Sequence, residues 1–543
     1  MQQLLNRPWY KFYTSTQKDL QVPVVSLYSI FEDTVKRYGE RTAIIHEHRK
    51  ITYSEVKDRV DRVAAAWTEL GAQKGERIGL MLTNHPDYIT SYYAAQALGL
   101  IVVQINPMYT PRELLQIVKD SQIAYLVAER SALKTVDQIG DSYGFKHIFV
   151  SQLGIGEQNS ILKNLDDLNV YKNHLKEPTH ISPQEDIAVI QYTGGTTGKM
   201  KGVMLTHYNL IANVIQSKSL YGDQMVHGKE IFLTVTPLYH VLGMTNAMNL
   251  GIYIGGTLLL VKKFETEQVL ELIREYQPTF FPGVPKMYNA FVNHPNVENY
   301  GLDCIKFCTS GSAPLPSEII KRFEQLTGSY IAEGFGLSEA SPLTHRNPTN
   351  IKKKLGSIGI PVPGTDSIVV DNHNKELPVG SVGELLIKGP QVMKGYWNNE
   401  TETNQSLKDG WLHTGDLAKM DEEGYFYIVG RQKEMIIVGG FNIYPQEIEN
   451  VLYEHPDVKE VAVVGIPNQE HEEIVKAYIV PKEGCQINLE RLKEYCYLKI
   501  TRYKVPKVFE IRDSLPRNTV GKLLKRVLVQ EELEKRATNT THS

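Results

Sequence analysis

Two periodicities alternate through the first 280 or so residues, and this alternation restricts the fold more than any other feature. Residues 54–70 place apolar side chains at helical spacing, residues 77–82 form a short apolar run, and residues 88–98 turn helical again. The order recurs through residues 112–119, 123–127 and 147–150, and once more from residues 267–276 into Phe280 and Phe281. Strands that alternate with helices predict parallel sheets covered by helices. At 543 residues the chain exceeds what one core organises, so more than one compact unit is expected.

From about residue 355 the texture changes to short strand-like pieces at 367–371, 383–388 and 424–429, separated by glycine, proline and acidic turns. These predict a mostly antiparallel, distorted β module. Beyond Met435 the pattern is mixed, with helical spacing over 444–454 and 488–496 and strand-like runs at 461–465 and 474–480. The expected fold class is therefore α/β: a large N-terminal domain (1–430) of parallel α/β sheets plus the β module, and a small C-terminal α+β domain (435–543). The polar tail after Arg536 is expected to be disordered.

The net charge of −3 offers no broad attraction for nucleic acid, which is not an expected partner. Cys304, Cys308, Cys485 and Cys496 form no C-x-x-C pair or cysteine–histidine cluster and read as ordinary thiols in a reducing compartment. The N-terminus shows no basic stretch followed by an apolar run, so a cytoplasmic location is expected. Residues 241–261 are uncharged, but Asn246, Asn249 and the Gly255-Gly256 pair favour a buried helix followed by a strand over a membrane span.

The run Tyr192-Thr193-Gly194-Gly195-Thr196-Thr197-Gly198-Lys199-Met200-Lys201-Gly202 follows the apolar run 187–190. Glycines there let backbone amides approach phosphate oxygens, while the threonine hydroxyls and Lys201 add donors and charge. Alone, such a turn is also what a plain strand-to-helix linker looks like. The P-loop pattern fails, because Thr193 and Met200 stand where it needs glycine and Ser or Thr.

Further motifs follow in order: Pro237-Leu238-Tyr239-His240, Ser310-Gly311-Ser312-Ala313-Pro314, Gly334-Phe335-Gly336-Leu337-Ser338-Glu339, His413-Thr414-Gly415-Asp416, Gly430-Arg431-Gln432-Lys433-Glu434 and Pro516-Arg517-Asn518-Thr519-Val520-Gly521-Lys522. Together with the glycine-rich run they resemble the adenylate-forming family of acyl-CoA synthetases, peptide-synthetase adenylation domains and beetle luciferases, from about Leu27 to Arg526. Met200 and Ser338 depart from the family's usual proline and threonine, and Ser338 keeps the hydroxyl.

The resemblance implies ATP and coenzyme A as co-substrates, with Thr193 to Gly198 and Lys201 on the β- and γ-phosphates. Phe335, with Gly334 and Gly336 beside it, would flank the adenine; Gly311, Ser312 and Ala313 would line the same pocket, and Ser338 would lie near the α-phosphate. Glu339, with Thr196, would hold Mg²⁺, which commonly takes one or two carboxylates beside a nucleotide. Asp416 and Arg431 would contact the ribose. Taken alone, Asp416 reads as the former of a tight Thr-Gly-Asp turn.

Lys522 matches the adenylation lysine, whose ammonium offsets the repulsion between carboxylate and α-phosphate. A general base is not needed, since a carboxylic acid with a pKa of about 4 to 5 is already ionised. Lys433 matches the hinge, residues 431–434, about which a mobile C-terminal domain would exchange Lys522 for Gly439 and Gly440 along the pantetheine channel. His240 is assigned to the acyl site.

The stretches 105–114, 281–290 and 308–316 resemble bacterial long-chain fatty-acid–CoA ligases most closely. Other readings are an aryl-CoA ligase, an amino-acid-activating enzyme, which would want an acidic ammonium partner and a following carrier domain, a luciferase-like oxygenase, and a non-catalytic nucleotide binder. The aromatic, basic opening at residues 7–13 is expected to dock on the large domain, with weak peripheral contact to a membrane surface as the other reading. A homodimer is left open.

Overall fold

The computed structural model describes residues 6–153, 157–194, 200–311, 313, 315–348, 353–438, 441–468, 472–517 and 522–540. They divide into two compact units, Met1–Asp366 with Ile387–Leu412, and Ser367–Leu386 with His413–Ser543.

The first unit holds two sheets. One runs in the order Ile360–Pro361, Leu343–Arg346, Ile331–Gly336, Phe307–Ser310, Phe280–Gly283, Ile231–Thr234, Thr257–Leu260, Thr42–His46 and Arg49–Thr52. The other runs Gly395–Tyr396, Met200–Thr206, Ile187–Gly194, Ile101–Gln104, Arg77–Met81, Ile123–Glu129, His147–Ser151 and Leu162–Asn164. Both are parallel through their middles and antiparallel only at edges. The parallel α/β expectation is met, because central strands buried on both faces read as continuous apolar runs.

Helix starts follow local chemistry. Thr52 with Glu55, Thr110 with Glu113 and Thr206 with Asn209 form reciprocal caps, and Pro86 opens the helix Pro86–Leu98 behind a His85 cap. That helix is buried all round. Its phenols find partners in the layer beside it: Tyr88 donates to the Leu238 carbonyl at 2.9 Å, Tyr93 donates to Asn249 Oδ1 at 3.1 Å, and Asn249 Nδ2 donates to Tyr92 Oη at 3.3 Å.

Asn84, just past the strand Arg77–Met81 and only 2% exposed, joins the two sheets. Its Nδ2 donates to the carbonyls of Thr234 at 3.0 Å, Val261 at 3.1 Å and Thr236 at 3.2 Å, and its Oδ1 accepts from Leu238 N at 2.8 Å. One side chain thus fixes the ends of two strands in the neighbouring sheet and the turn that carries His240.

The N-terminal segment docks on the first unit as expected. Trp9 is fully buried, Arg7 pairs with Asp366 at 2.9 Å, and Tyr13 donates to the Pro361 carbonyl at 2.6 Å. Residues 241–261 are buried too, but their helical part is wound as a π-helix over Gly243–Asn249 before the helix Leu250–Tyr253 and the strand Thr257–Leu260. No helix among the described residues is long and apolar enough to cross a membrane.

In the second unit the strand Trp411–Met420 pairs antiparallel with Phe426–Arg431. A separate sheet runs Phe441–Ile443, Ile436–Val438, Glu472–Pro481 and Val458–Asn468, with Val508–Ile511 parallel to Glu472–Pro481. Helices Pro445–Tyr453 and Leu489–Lys499 cover a core built on Ile448, Leu452, Val463, Ile479, Leu492 and Cys496. The tail differs from expectation: the helix Lys525–Thr540 continues past Arg536, so the polar end is helical through Thr540 rather than disordered. Its first turn is anchored by Lys525, which pairs with Glu449 at 2.8 Å and Glu434 at 3.4 Å. Burial works against that ammonium, and the two carboxylates more than offset it.

Replacing Asn84 by Leu strips the Leu238 amide and the Thr236 and Val261 carbonyls of this buried partner, while the Thr234 carbonyl keeps the Val261 amide. With each such loss costing about 1 to 3 kcal/mol, Asn84→Leu is expected to destabilise the protein by at least about 3 kcal/mol in denaturant unfolding. Unchanged stability would show that Asn84 does not tie the sheets.

Candidate active site

Four connections leave the carboxyl ends of parallel strands in the first unit, where open α/β sheets receive ligands. They follow Ile187–Gly194, Ile231–Thr234, Phe307–Ser310 and Ile331–Gly336. The first carries the glycine-rich run. Its stem is an antiparallel pair in which Thr193 faces Lys201 and Gly194 faces Met200. Gly195, Thr196, Thr197 and Gly198 lie outside the described residues, as do Ser312, Gly439 and Gly440.

Lys201 and Glu339 come together through two residues that the sequence reading missed. Lys201, its side chain 14% exposed, ion-pairs with Glu402 and sits 5.1 Å from the Tyr396 ring centroid. Tyr396 donates to Glu339 Oε1 at 2.9 Å. Burial and, next, the charge on Glu339 push the Tyr396 phenol up, so it remains a donor. The Glu339 backbone is held as well, its carbonyl accepting from Met393 N at 2.8 Å.

The strand Ile331–Gly336 delivers Gly334, Phe335 and Gly336 directly before the turn Ser338–Ala340. Only glycine fits at Gly336, since a Cβ there would stand 2.2 Å from the Pro342 carbonyl oxygen. Phe335 packs edge-on to His345 with centroids 6.1 Å apart. Gly311 lies near this strand, a Cβ built there reaching 3.8 Å from the Gly334 carbonyl, and Ala313 beside it is exposed. One position earlier in the strand, Glu333 is a further missed candidate: burial raises its carboxyl to about 7, with a backbone hydrogen bond from Leu315 working the other way. A carboxyl poised there can donate as well as accept, which suits the edge of a base.

His240 closes the turn that Asn84 holds. Burial pushes its imidazole down to about 4, so it is neutral at physiological pH, and Nε2 has no partner among the described residues. A general base works best with a pKa near the working pH, which argues against proton abstraction by this ring. Gln104 and Gln191, Cα partners on adjacent parallel strands, approach the same turn: Gln104 Nε2 donates to Met244 Sδ and Gln191 Nε2 to the Tyr239 carbonyl at 3.4 Å. Their Oε1 atoms are buried without a partner. The visible signal was a glutamine inside each apolar strand.

In the second unit Asp416 and Arg431 are direct cross-strand partners, with Arg431 Nε 3.0 Å from Asp416 Oδ1. The Thr-Gly-Asp segment is not a turn, as its residue types suggest, but lies inside the strand Trp411–Met420, where Gly415 takes φ +67°. Glu384 orders this kink by accepting from Gly415 N at 3.0 Å and pairing with His413 at 3.0 Å. Lys433 is exposed in the turn Gln432–Glu434. Lys522 is exposed just before the anchored helix, three residues from Lys525. The buried thiols of Cys308 and Cys496 are held protonated by burial.

Because Glu333 titrates higher in the fold than its ordinary 4.5, the protein prefers its protonated form. That contribution is complete below about 4.5 and is lost as pH rises through about 7. The ionised group therefore costs on the order of 3 kcal/mol at higher pH. Glu333→Gln is expected to flatten the fall in melting temperature between about pH 5 and pH 8; parallel profiles for variant and wild type would contradict the buried carboxyl.

The family of AMP-binding enzymes matches residues 31–397, and the AMP-binding enzyme C-terminal domain matches residues 447–522. The long-chain-fatty-acid–CoA ligase of Bacillus subtilis (strain 168) is 40% identical over 97% of this chain and 98% of that protein. The protein of the same name from Escherichia coli O6:H1 is 38% identical over 93% of this chain and 94% of that one. ATP-bound MatB from Rhodopseudomonas palustris superposes with a TM-score of 0.84 at 30% identity, covering 93% of this chain and 99% of MatB. Matches of this extent, reaching both the large and the C-terminal family segments, leave one assignment: the chain belongs to the AMP-binding enzymes.

Proposed function

We propose that this chain activates a fatty acid with ATP and transfers the acyl group to coenzyme A. The observation that carries the chemistry is the Lys201–Glu402 and Tyr396–Glu339 constellation at the strand ends. The fatty acid comes from the relatives, which act on long-chain acids by name. In the first step a carboxylate oxygen attacks the α-phosphorus and pyrophosphate leaves. In the second the coenzyme A sulfur attacks the acyl carbon, the thiol proton passes to solvent, and AMP departs with the oxygen that came from the acid.

Lys201 with Thr193 to Gly198 takes the β- and γ-phosphates, which must displace Glu402 from the ammonium. Phe335, Gly334, Gly336, Gly311, Ser312 and Ala313 enclose the adenine, Ser338 meets the α-phosphate, and Asp416 with Arg431 holds the ribose. The described residues contain no group of three or more His, Cys, Asp or Glu able to hold a metal alone. A nucleotide-bound Mg²⁺ needs no such cage, and Glu339 fits it: Tyr396 engages only Oε1, and Oε2 accepts no hydrogen bond among the described residues. Glu339, with Thr196, would hold the ion, which when bound neutralises phosphate charge.

Lys522 stabilises the charge that develops as carboxylate and α-phosphate meet. Residues 431–434, with Lys433, act as the hinge between the domains 1–430 and 435–543, and turning there brings Gly439 and Gly440 to the pantetheine arm. His240, neutral and held by the Asn84 turn, shapes the acyl end. The working location is the cytoplasm.

Purified protein incubated with ATP, Mg²⁺, coenzyme A and a panel of palmitate, benzoate and amino acids is expected to form AMP and thioester from palmitate. No AMP with any acid would defeat the enzyme reading, and benzoyl-CoA alone would redirect it to aryl acids. Lys522→Ala should lose adenylate formation by at least about 100-fold yet still convert supplied acyl-adenylate with coenzyme A. Equal loss of both half-reactions would contradict its separate role.

A further inference from the structure

A cavity of about 500 Å³ lies in the first unit among residues that no step of the proposed reaction uses. One wall comes from the strand pair Thr42–His46 and Arg49–Thr52 and the helix Tyr53–Glu69, which supply His46, Arg49, Ile51 and Arg59. The other comes from the capped start of the helix Pro86–Leu98 and from the short helix Leu165–Asn169, which supply His85, Asp87 and Asp166. Asp87 is locked into that wall. Ser151 Oγ donates to its Oδ2 at 2.5 Å, Asn169 Nδ2 donates to its Oδ1 at 3.3 Å, and its own amide donates to His85 Nδ1 at 3.2 Å. His85 thereby keeps Nε2 for a ligand.

His46 points to an occupant. It is only 9% exposed, its ring lines the cavity, and it makes no hydrogen bond or ion pair among the described residues. The His85 ring meets it edge-on with centroids 4.8 Å apart. Burial and, next, His85 push the His46 imidazole down, so it stands neutral, with one nitrogen to donate and one to accept. The charges around it are likewise set but unanswered. Arg49 and Arg59 on one wall and Asp166 on the other are in no ion pair among the described residues. Partial desolvation and, next, the charge on Asp87 push the Asp166 carboxyl up, the sign of a carboxylate short of a cation. Ile51, Pro86 and Val170 add an apolar strip, and Val170 is 75% exposed. At the rim Glu47 and Gln152 hold left-handed backbone, φ 48° and 59°, which a side chain adopts only at a cost.

We propose that this cavity binds a small zwitterion, an α-amino acid with an aliphatic side chain, its carboxylate on Arg49, Arg59 and His46 and its ammonium on Asp166. An anion alone would leave Asp166 unanswered and bring its charge toward Glu47 and Asp87. A cation alone would leave both guanidinium groups unanswered. The zwitterion satisfies both walls, and its side chain covers Val170. A metal ion does not fit, because the described residues contain no group of three or more His, Cys, Asp or Glu able to hold one. Binding is independent of which acid the enzyme activates. Because His85 follows Asn84 in the chain, the occupant bears on the residue that holds the Pro237–His240 turn.

L-Leucine titrated calorimetrically into the full chain, with palmitate present to fill the acyl site, is expected to bind with a Kd of about 1 mM or tighter. Isocaproate, which lacks the ammonium, and isoamylamine, which lacks the carboxylate, should each bind at least about tenfold more weakly. Arg59→Gln and Asp166→Asn should each weaken leucine by at least about tenfold. Both variants should melt like wild type and form AMP from palmitate at the wild-type rate, which shows that they are folded. Absence of AMP from palmitate in wild type would count against the fatty-acid reading alone, since these two side chains lie outside the acyl site. The proposal is overturned if leucine fails to bind at about 10 mM, if isocaproate binds as tightly as leucine, or if both variants bind leucine like wild type. AMP formation dependent on leucine would place it in the acyl site and overturn the proposal as well.

Discussion

The first unit depends on how its two sheets are locked at their carboxyl ends, and Asn84 carries most of that lock. A primary amide offers two donors and an acceptor in one plane, so it can satisfy carbonyls from two strand ends and the amide of a turn at once. The Thr236 and Val261 carbonyls and the Leu238 amide belong to buried residues, and the Thr234 carbonyl is shared with the Val261 amide. Because such groups are costly to leave unpaired, the turn at Pro237–His240 has one position rather than several. Tyr88 adds a second restraint from the wholly buried helix Pro86–Leu98. In the proposed function a rigid turn matters because an acyl site works only when the reacting carboxylate is held within a fraction of an ångström.

Within each unit charged groups are paired in advance. Lys201 is largely buried and partnered by Glu402, so in the proposed reaction an incoming triphosphate would exchange one anion for another instead of dehydrating a free ammonium. Glu339 is oriented by a phenol that burial keeps protonated. In the second unit Arg431 and Asp416 restrain each other across one rung of a strand pair. The anchored Lys525 lies three residues beyond Lys522 and pairs with Glu434, next to Lys433, so the start of the last helix and the 431–434 segment are mechanically joined. In the proposed reaction, fixed dipoles and charges of this kind would favour a transition state without reorganising when it forms.

Much of this was legible in the sequence. Helices such as Tyr53–Glu69 and strands such as His147–Ser151 declared themselves by their period and apolar runs, and the motif order pointed to the family that the comparisons bear out. The π-helix Gly243–Asn249 was not legible, because a segment buried on all sides carries no polar face to set a period. Nor were Tyr396 and Glu402, whose partners lie 57 and 201 residues away and meet only once the edge strand Gly395–Tyr396 joins its sheet. Nothing in the sequence singled out Glu333, whose raised pKa comes from burial that only the folded strand provides. The polar tail misled for the opposite reason: one buried pairing at Lys525 is enough to seat a helix whose composition alone reads as solvated.

The central claim, that a carboxylate oxygen is joined to the α-phosphorus of ATP before the thioester forms, can be read from the path of one atom. A fatty acid labelled with ¹⁸O in its carboxylate, turned over with ATP and coenzyme A, should leave one labelled oxygen in AMP and none in pyrophosphate. Label in pyrophosphate or in free phosphate, or unlabelled AMP accompanying labelled acyl-CoA, would contradict the acyl-adenylate and with it the roles given to Lys522, Glu339 and Lys201.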